Sequence, residues 1–401
     1  MAVDDLWFLK KRGPDGERLP SKRHSRGKRW RTRYVDPETG LKVERLFDKK
    51  VDAEREDANQ RADISRGKWI DPRAGKVTVA EYAEVWRAQQ LHRDSTTDMV
   101  ERAFRLHIVP ILGALPIASV RPSHLRNWVK DRSAQGVLAG STVHLVFGYV
   151  ASMFAAAVHD RLIAESPCRD VRLPDIDRGD RYIPPAEQVH AVAKALPVQY
   201  RAVPYLAAGC GLRGGEIFGL EIGHVEFLRR EIGIRQQLKY ATGRGRYIGP
   251  VKTPTSKRTV ELPQVVSGEL ARHLAQFAPL EAELDDETGR ESVRRPVPLL
   301  FYTSNDQPVT RSSWSGVWQV AVRKAKLPEG FGLHGLRHYF ATLLIHNGAS
   351  VKTVQLALGH STPSITLNTY LHEWPDALDR TRTLVDAALG EPLATVEREA
   401  Q

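Results

Sequence analysis

An apolar stripe constrains this chain most: from Ser141 onward, Val143, Val146, Phe147, Val150, Phe154 and Val158 recur at spacings of three and four. Only an α-helix brings such positions onto one face, and a face that apolar must pack against other helices. The residues before it supply those partners. Thr78 can cap a helix carrying Tyr82, Val85 and Trp86. Ser95 precedes a second helix carrying Met99, Ala103 and Leu106, which Pro110 is expected to stop. Ser123 starts a third, with Leu125, Trp128 and Val129 turned inward. The pattern predicts a helical unit over residues 76–172. With 401 residues, about 150 per domain leaves room for at least one further unit.

Ahead of the helices, 28–47 alternates Trp30, Thr32 and Tyr34, breaks at Asp36-Pro37-Glu38-Thr39-Gly40, and resumes with Val43 and Leu46-Phe47. That is the signature of a β-hairpin. A helix is expected over 49–66, ended by Gly67 and Asp71-Pro72, which makes residues 1–75 a small β-plus-helix module. The module concentrates the charge. Of a net +11 for the chain, residues 10–33 carry eleven Lys or Arg against only Asp15 and Glu17. Such a run reads either as a solvated, disordered arm or as a surface for a polyanion. Lys28, Arg29, Arg31 and Arg33, interleaved with Trp30 and Tyr34, are the candidate contacts for nucleic acid.

Past the helical unit, Pro167, Pro174, Pro184 and Pro185 interrupt 165–185, so 173–185 is read as a linker. A mixed α+β unit is then expected over 186–390, with a tail at 391–401. Its helices are expected at 186–196 and 201–208 and its strands at 231–239, 245–251 and 258–262, the rest being largely helical. The whole reads as a multidomain, mainly α protein. Hydrophobic residues are 41% and charged ones 27%, no apolar run approaches the ~18 residues of a membrane span, and the start lacks a secretory leader. These features predict a chain that stays inside the cell without a membrane partner. Two cysteines, Cys168 and Cys210, cannot build a disulfide framework.

Four strings in the last unit carry chemistry: Gly-Leu-Arg213-Gly-Gly-Glu216, Val-Lys252-Thr, His334-Gly-Leu-Arg337-His338, and Leu-Gly-His360 followed by Thr369-Tyr370. Singly, each has an ordinary structural explanation. An Arg on a helix is usually a surface residue, a Lys between strands is usually solvated, and a Tyr late in a chain usually packs. In this order they resemble the tyrosine recombinase, or phage-type integrase, family, whose site is Arg, Lys, His-x-x-Arg, His or Trp, and Tyr. The resemblance covers residues 77–385. Residues 1–75 resemble the family's arm-binding domain by length and composition.

The resemblance implies a site-specific DNA recombinase, and the chemistry suits the residue types. A phenol with a pKa of ~10 is only about a thousandth ionised at neutral pH, so Tyr370 needs cations and a proton acceptor to attack a DNA phosphate. Arg213 and Arg337 would grip the non-bridging oxygens with forked donors that stay charged at any working pH. Lys252 would protonate the leaving 5′-oxygen, with Lys257 as the competing lysine. His334 is expected to shuttle the Tyr proton, His360 to hydrogen-bond the phosphate, and Glu216 to orient Arg213 or His334. The covalent 3′-phosphotyrosyl link stores the bond energy, so neither a cofactor nor a metal is implied. His334 and His338 could share an ion, but the glutamate of a His-Glu-x-x-His helix is missing. Implied partners are double-stranded DNA at core-type and arm-type sites, a homotetramer passing through a Holliday junction, and a host bending protein or excision factor. Implied too are a bacterial cytoplasm, with its nucleoid, and docking of 376–389 on a neighbour through Leu384, Val385 and Leu389. A type IB topoisomerase and a DNA-binding protein without catalysis remain the alternatives.

Overall fold

A computed structural model describes residues 2–35, 40, 42–66, 70–71, 73–134, 136–176, 181–371 and 385. They fall into two compact units, Met1–Asp177 and Arg178–Gln401.

In the first unit, Trp30–Val35 pairs antiparallel with Lys42–Phe47, Trp30 opposite Phe47, as the alternation predicts. The turn residues 36–39 lie outside the described residues. Three strands go beyond the sequence reading. Ala2–Asp5 pairs with the other edge of Trp30–Val35 and completes a three-stranded sheet. Phe8–Arg12 pairs with Arg18–Pro20, so this part of the basic run is a hairpin and not a disordered arm. Thr32 and Tyr34 point inward, and the helix Lys50–Ser65 packs on the sheet, burying Ala53.

The helical part begins at Val79–Ala88, capped as expected. Thr78 accepts from the Glu81 backbone N–H at 3.2 Å, and the Glu81 carboxylate accepts from that of Thr78 at 2.9 Å. Asp94–Ala103 starts one residue ahead of the expected Ser95. Pro110 does not stop the rod: the backbone loosens into a π-turn at Phe104–Ile108 and restarts as Val109–Leu112. There the proline sits in a first turn, where its missing N–H is not needed. Leu125, Trp128 and Val129 are buried on Pro122–Ala134, and Trp128 Nε1 donates to the His107 carbonyl at 2.7 Å. The stripe is Gly140–His159, burying Val143, Val146, Phe147, Val150, Met153, Phe154 and Ala157, while Val158 is only partly covered. Each large side chain stabilises the unit by roughly 1.5–3 kcal/mol. By length and composition this helix could cross a membrane, a property the sequence reading overlooked, but its apolar face forms the core.

In the second unit, Ala186–Ala195, Ala202–Cys210, Gln264–Gln276, Arg311–Lys324 and Leu333–His346 enclose a core that includes Leu206, Ile217, Trp318 and Leu336. The expected strand at 231–239 is two strands, Glu231–Ile234 and Gln236–Ala241, which part at Arg235 into different sheets. Glu231–Ile234 lies between Val225–Glu226 and Arg258–Glu261. Gln236–Ala241 pairs with Gly245–Pro250, which continues into Leu280–Asp286 and Val293–Leu299.

The hairpin Leu280–Asp286 with Val293–Leu299 corrects the expectation that this region is helical. Leu280, Ala282 and Leu284 alternate with acids, a period of two, and Pro296 and Pro298 are tolerated because Val293–Leu299 is the edge strand. Val351–Leu358 and Pro363–Tyr370 follow, with Val354, Leu358 and Tyr370 packed against Ala341 and Ile345. Both the tail 391–401 and the segment 376–389 expected to dock on a neighbour lie outside the described residues, except for exposed Val385.

Candidate active site

Two helices aim their C-termini at one side chain. Ala202–Cys210 ends at Gly211 (φ 64°) and Val351–Leu358 ends at Gly359 (φ 63°), both left-handed as a C-terminal glycine permits. Arg337, on Leu333–His346 and 1% exposed, donates from Nη1 to the Gly211 carbonyl and from Nη2 to the Leu358 carbonyl. Helix C-termini carry partial negative charge, which favours the guanidinium there. Burial, then Arg213 and Arg258, push its pKa down to about 9, against the pull of Glu216 and Tyr370. It remains charged at neutral pH, with less margin than the sequence reading assumed.

Arg213 does not lie inside a helix; it precedes Gly214–Phe218 in extended backbone. Glu216, three residues on, accepts from the Arg213 backbone N–H at 3.0 Å and from Nη1 at 2.8 Å. Its second partner is Arg258 (3.0 Å), where the sequence suggested His334. Burial favours the protonated acid, but Arg258 and Arg213 overcome it and hold the Glu216 carboxyl below its ordinary value. Arg258 also donates from Nε to the Ala357 carbonyl (3.0 Å) and from Nη1 to that of Ser256 (3.1 Å). One buried guanidinium therefore ties together the Arg213 turn, the Lys252 turn and the helix ahead of His360. The signal in the sequence is the phase of Arg258 with inward Val260, which puts a charge at a core position.

Lys252 is exposed, in the stretch joining Gly245–Pro250 to Arg258–Glu261 through the turn Pro254–Ser256. His334 is open to solvent on one side. Crowding on the other, then Arg337, Arg213, Arg181 and Lys252, push its pKa down to about 4. Lys252 is thus among the cations felt by His334. His360, just past Gly359, lies 2.9 Å through Nδ1 from Thr366 Oγ1, and burial followed by Arg337, Arg213 and Arg258 pushes it to about 4.

Tyr370 closes Pro363–Tyr370 and is 2% exposed. Arg181 donates to the preceding Thr369 carbonyl, and its guanidinium carbon lies 5.9 Å from the Tyr370 ring centre. The imidazole bonded to the Tyr370 hydroxyl is that of His338, with Nδ1 2.6 Å from Oη, and not the expected His334. His334 and His338 stack edge to face at 4.6 Å, one turn apart. The sequence offers His338 only as a partner of His334 for an ion, although its place one turn from His334 puts both on the same helix face.

In the N-terminal module, the four candidate contacts differ. Lys28 is exposed. Arg29 pairs with Asp5 at 2.8 Å, Arg31 with Asp4 at 3.1 Å and Glu44 at 3.3 Å, and Arg33 with Asp4 at 2.7 Å. Burial opposes the charge on Asp4, yet Arg31, Lys10 and Arg33 hold its carboxyl below the ordinary value. Much of the charge counted between 10 and 33 is therefore tied to acids just upstream.

Residues 186–376 match the phage integrase family and residues 78–132 match the phage integrase N-terminal SAM-like domain. The integrase of Mycobacterium phage D29 is 28% identical over 364 residues, 86% of this chain and 91% of that protein. Tyrosine recombinase XerD of Pseudomonas aeruginosa is 28% identical over 241 residues, 59% of this chain and 72% of that one. The Tn1549 transposon integrase, solved in complex with transposon right end DNA, superposes with a TM-score of 0.65 at 25% identity, covering 77% of this chain and 99% of that chain. The lambda integrase, solved as a tetramer bound to a Holliday junction, shares the fold at a TM-score of 0.52 and 15% identity, over 83% and 93% of the two chains. The chain belongs to the phage integrase family: it is a tyrosine-type site-specific recombinase.

Proposed function

We propose that this recombinase integrates and excises a mobile element by breaking and rejoining duplex DNA at Tyr370. Tyr370 Oη attacks the scissile phosphate in line, and a 3′-phosphotyrosyl bond replaces the phosphodiester. The 5′-hydroxyl of a second duplex then displaces the tyrosine, leaving the number and kind of bonds unchanged. Arg213 and Arg337 neutralise the non-bridging oxygens, His334 and His360 donate to them, and Lys252 Nζ gives its proton to the departing 5′-oxygen. Glu216 keeps Arg213 oriented. One observation carries the reading: separated strings bring Arg213, Lys252 and Arg337 to bear on His334, and Arg213, Arg337 and His334 to bear on His360, with buried Tyr370 acting on the same Arg337.

Double-stranded DNA is the partner, and the net charge of +11 favours it. The division of labour follows the sequence: 1–75 on arm-type sites, 76–172 and 186–390 around a core site, 173–185 as linker and 391–401 as tail. Four protomers on two duplexes, assisted by a host bending protein or an excision factor in the nucleoid, complete the assembly. A nicked duplex bearing the direct repeat that flanks the element tests the chemistry. Wild-type protein should trap a covalent adduct and Tyr370→Phe none. Recombination between two sites, without relaxation of a one-site plasmid, should set it apart from a type IB topoisomerase.

A further inference from the structure

The phenolic proton has to leave Tyr370 as the phosphorus–oxygen bond forms, and the helix that carries Arg337 sets an acceptor beside it. His338 Nδ1 lies 2.6 Å from Tyr370 Oη, with ring centres 5.4 Å apart. We propose that His338 is the general base of this recombinase, taking the Tyr370 proton at Nδ1 while Arg337, one residue earlier, binds the phosphate. The proposal rests on Tyr370 being the nucleophile.

His338 sits on Leu333–His346, buried along Leu336, Arg337, Ala341 and Ile345, so its ring is presented by a rigid element and not by a loop. The charged and titratable groups around it are His334, Arg181, Arg337 and His360, together with Tyr370 itself. Burial first, and then those cations and rings, push its pKa down to about 3. In the DNA-free protein the ring is thus neutral at neutral pH. With its proton on Nε2, the tautomer this role requires, the neutral ring keeps its Nδ1 lone pair for the hydroxyl. Arg337, one of the charges that lower the basicity of His338, is also one that a DNA phosphate would neutralise. Phosphate entry therefore raises the basicity of Nδ1 when the proton must move, and without DNA the nucleophile stays protonated.

The step balances. The Oη proton passes to Nδ1, the Oη–P bond forms as the P–O5′ bond breaks, and O5′ takes a proton from Lys252 Nζ. Rejoining reverses each transfer, with the incoming 5′-hydroxyl returning its proton to Lys252 and His338 returning its own to Tyr370.

The test uses the full chain and the nicked duplex. His338→Gln can accept a hydrogen bond but not a proton; it should bind DNA normally and form adduct 10²- to 10⁴-fold more slowly, the usual range for loss of a general base. His338→Ala should be slowed similarly and regain rate with added imidazole. A 5′-bridging phosphorothiolate, whose thiolate leaves without protonation, should rescue Lys252→Ala and not His338→Gln. Wild-type cleavage and an unchanged pH profile in His338→Gln, or its rescue by the phosphorothiolate, would overturn the role of His338 alone. An adduct formed by Tyr370→Phe would overturn the nucleophile and this base together.

Discussion

Three guanidiniums, those of Arg213, Arg258 and Arg337, act on the buried carboxylate of Glu216. Breaking a buried pair by removing one partner costs about 3–5 kcal/mol, because the other charge stays behind. Glu216→Gln is accordingly expected to lower the urea unfolding free energy of the second unit by about 3 kcal/mol. Arg337→Lys keeps the charge but loses the fork that spans Gly211 and Leu358, and is expected to slow adduct formation about 10²- to 10³-fold in single-turnover assays. Acid acts through the same groups with a definite sign. Glu216 has a lowered pKa, so its contribution is present above the ordinary glutamate value and lost as pH falls. His334 and His360, at about 4, bind fewer protons folded than unfolded between pH 6.5 and 4, so stability falls across that window too. The urea midpoint should drop continuously from pH 7 to 4, less steeply in His360→Asn; a flat profile would contradict these assignments. At this scale the motif strings and the pairing of Glu216 with Arg213 were legible, and the contacts of Arg258 and His338 were not. Arg258 and His338 act through folded contacts across 42 and 32 residues, which spacing along the chain does not reveal.

Helix ends set the site as much as side chains do. At Gly359 a Cβ would stand 3.1 Å from Ser256 Cα and 3.2 Å from Arg258 Cδ, in a backbone conformation that disfavours any side chain by about 1–2 kcal/mol. Gly359→Ala should therefore lose about that much stability. It should lose more cleavage activity than the destabilisation explains, because the neighbouring Leu358 carbonyl holds Arg337 and the next residue is His360. Equilibrium unfolding and adduct formation on one preparation would separate the two losses. Elements with a strong period were legible: the stripe of Gly140–His159, the Thr78 cap, and the pairing of Trp30–Val35 with Lys42–Phe47. Those hidden from sequence had weak or mixed signals. Ala2–Asp5 is four residues long with two acids, and Leu280–Asp286 masks its alternation behind carboxylates. At Pro110 a general rule failed because the π-turn ahead of it lets the proline occupy a first turn.

Across the molecule, charge is arranged by pairing more than by composition. The run 10–33 reads as a uniform basic patch, but the strand Ala2–Asp5 that sequence did not reveal brings Asp4 and Asp5 against Arg29, Arg31, Arg33 and Lys10. The exposed cations Lys22, Arg23, Arg26 and Lys28 are then the ones best placed to meet phosphate. Counterion release makes the two groups separable, since each neutralised phosphate adds about 0.9 to the slope of log K against log salt. Replacing Lys22, Arg23 and Arg26 together by alanine should reduce that slope by roughly 2–3 on a duplex bound by the N-terminal module, with the thermal midpoint nearly unchanged. Arg29→Ala should do the reverse: it strips the half-buried Asp5 carboxylate of its bidentate partner, so the module melts earlier while the slope changes by less than about 1. Equal slopes for the triple variant and the wild type would remove this loop from the DNA interface. The +11 of the chain would then serve general attraction to the duplex, with no defined second contact surface in the module.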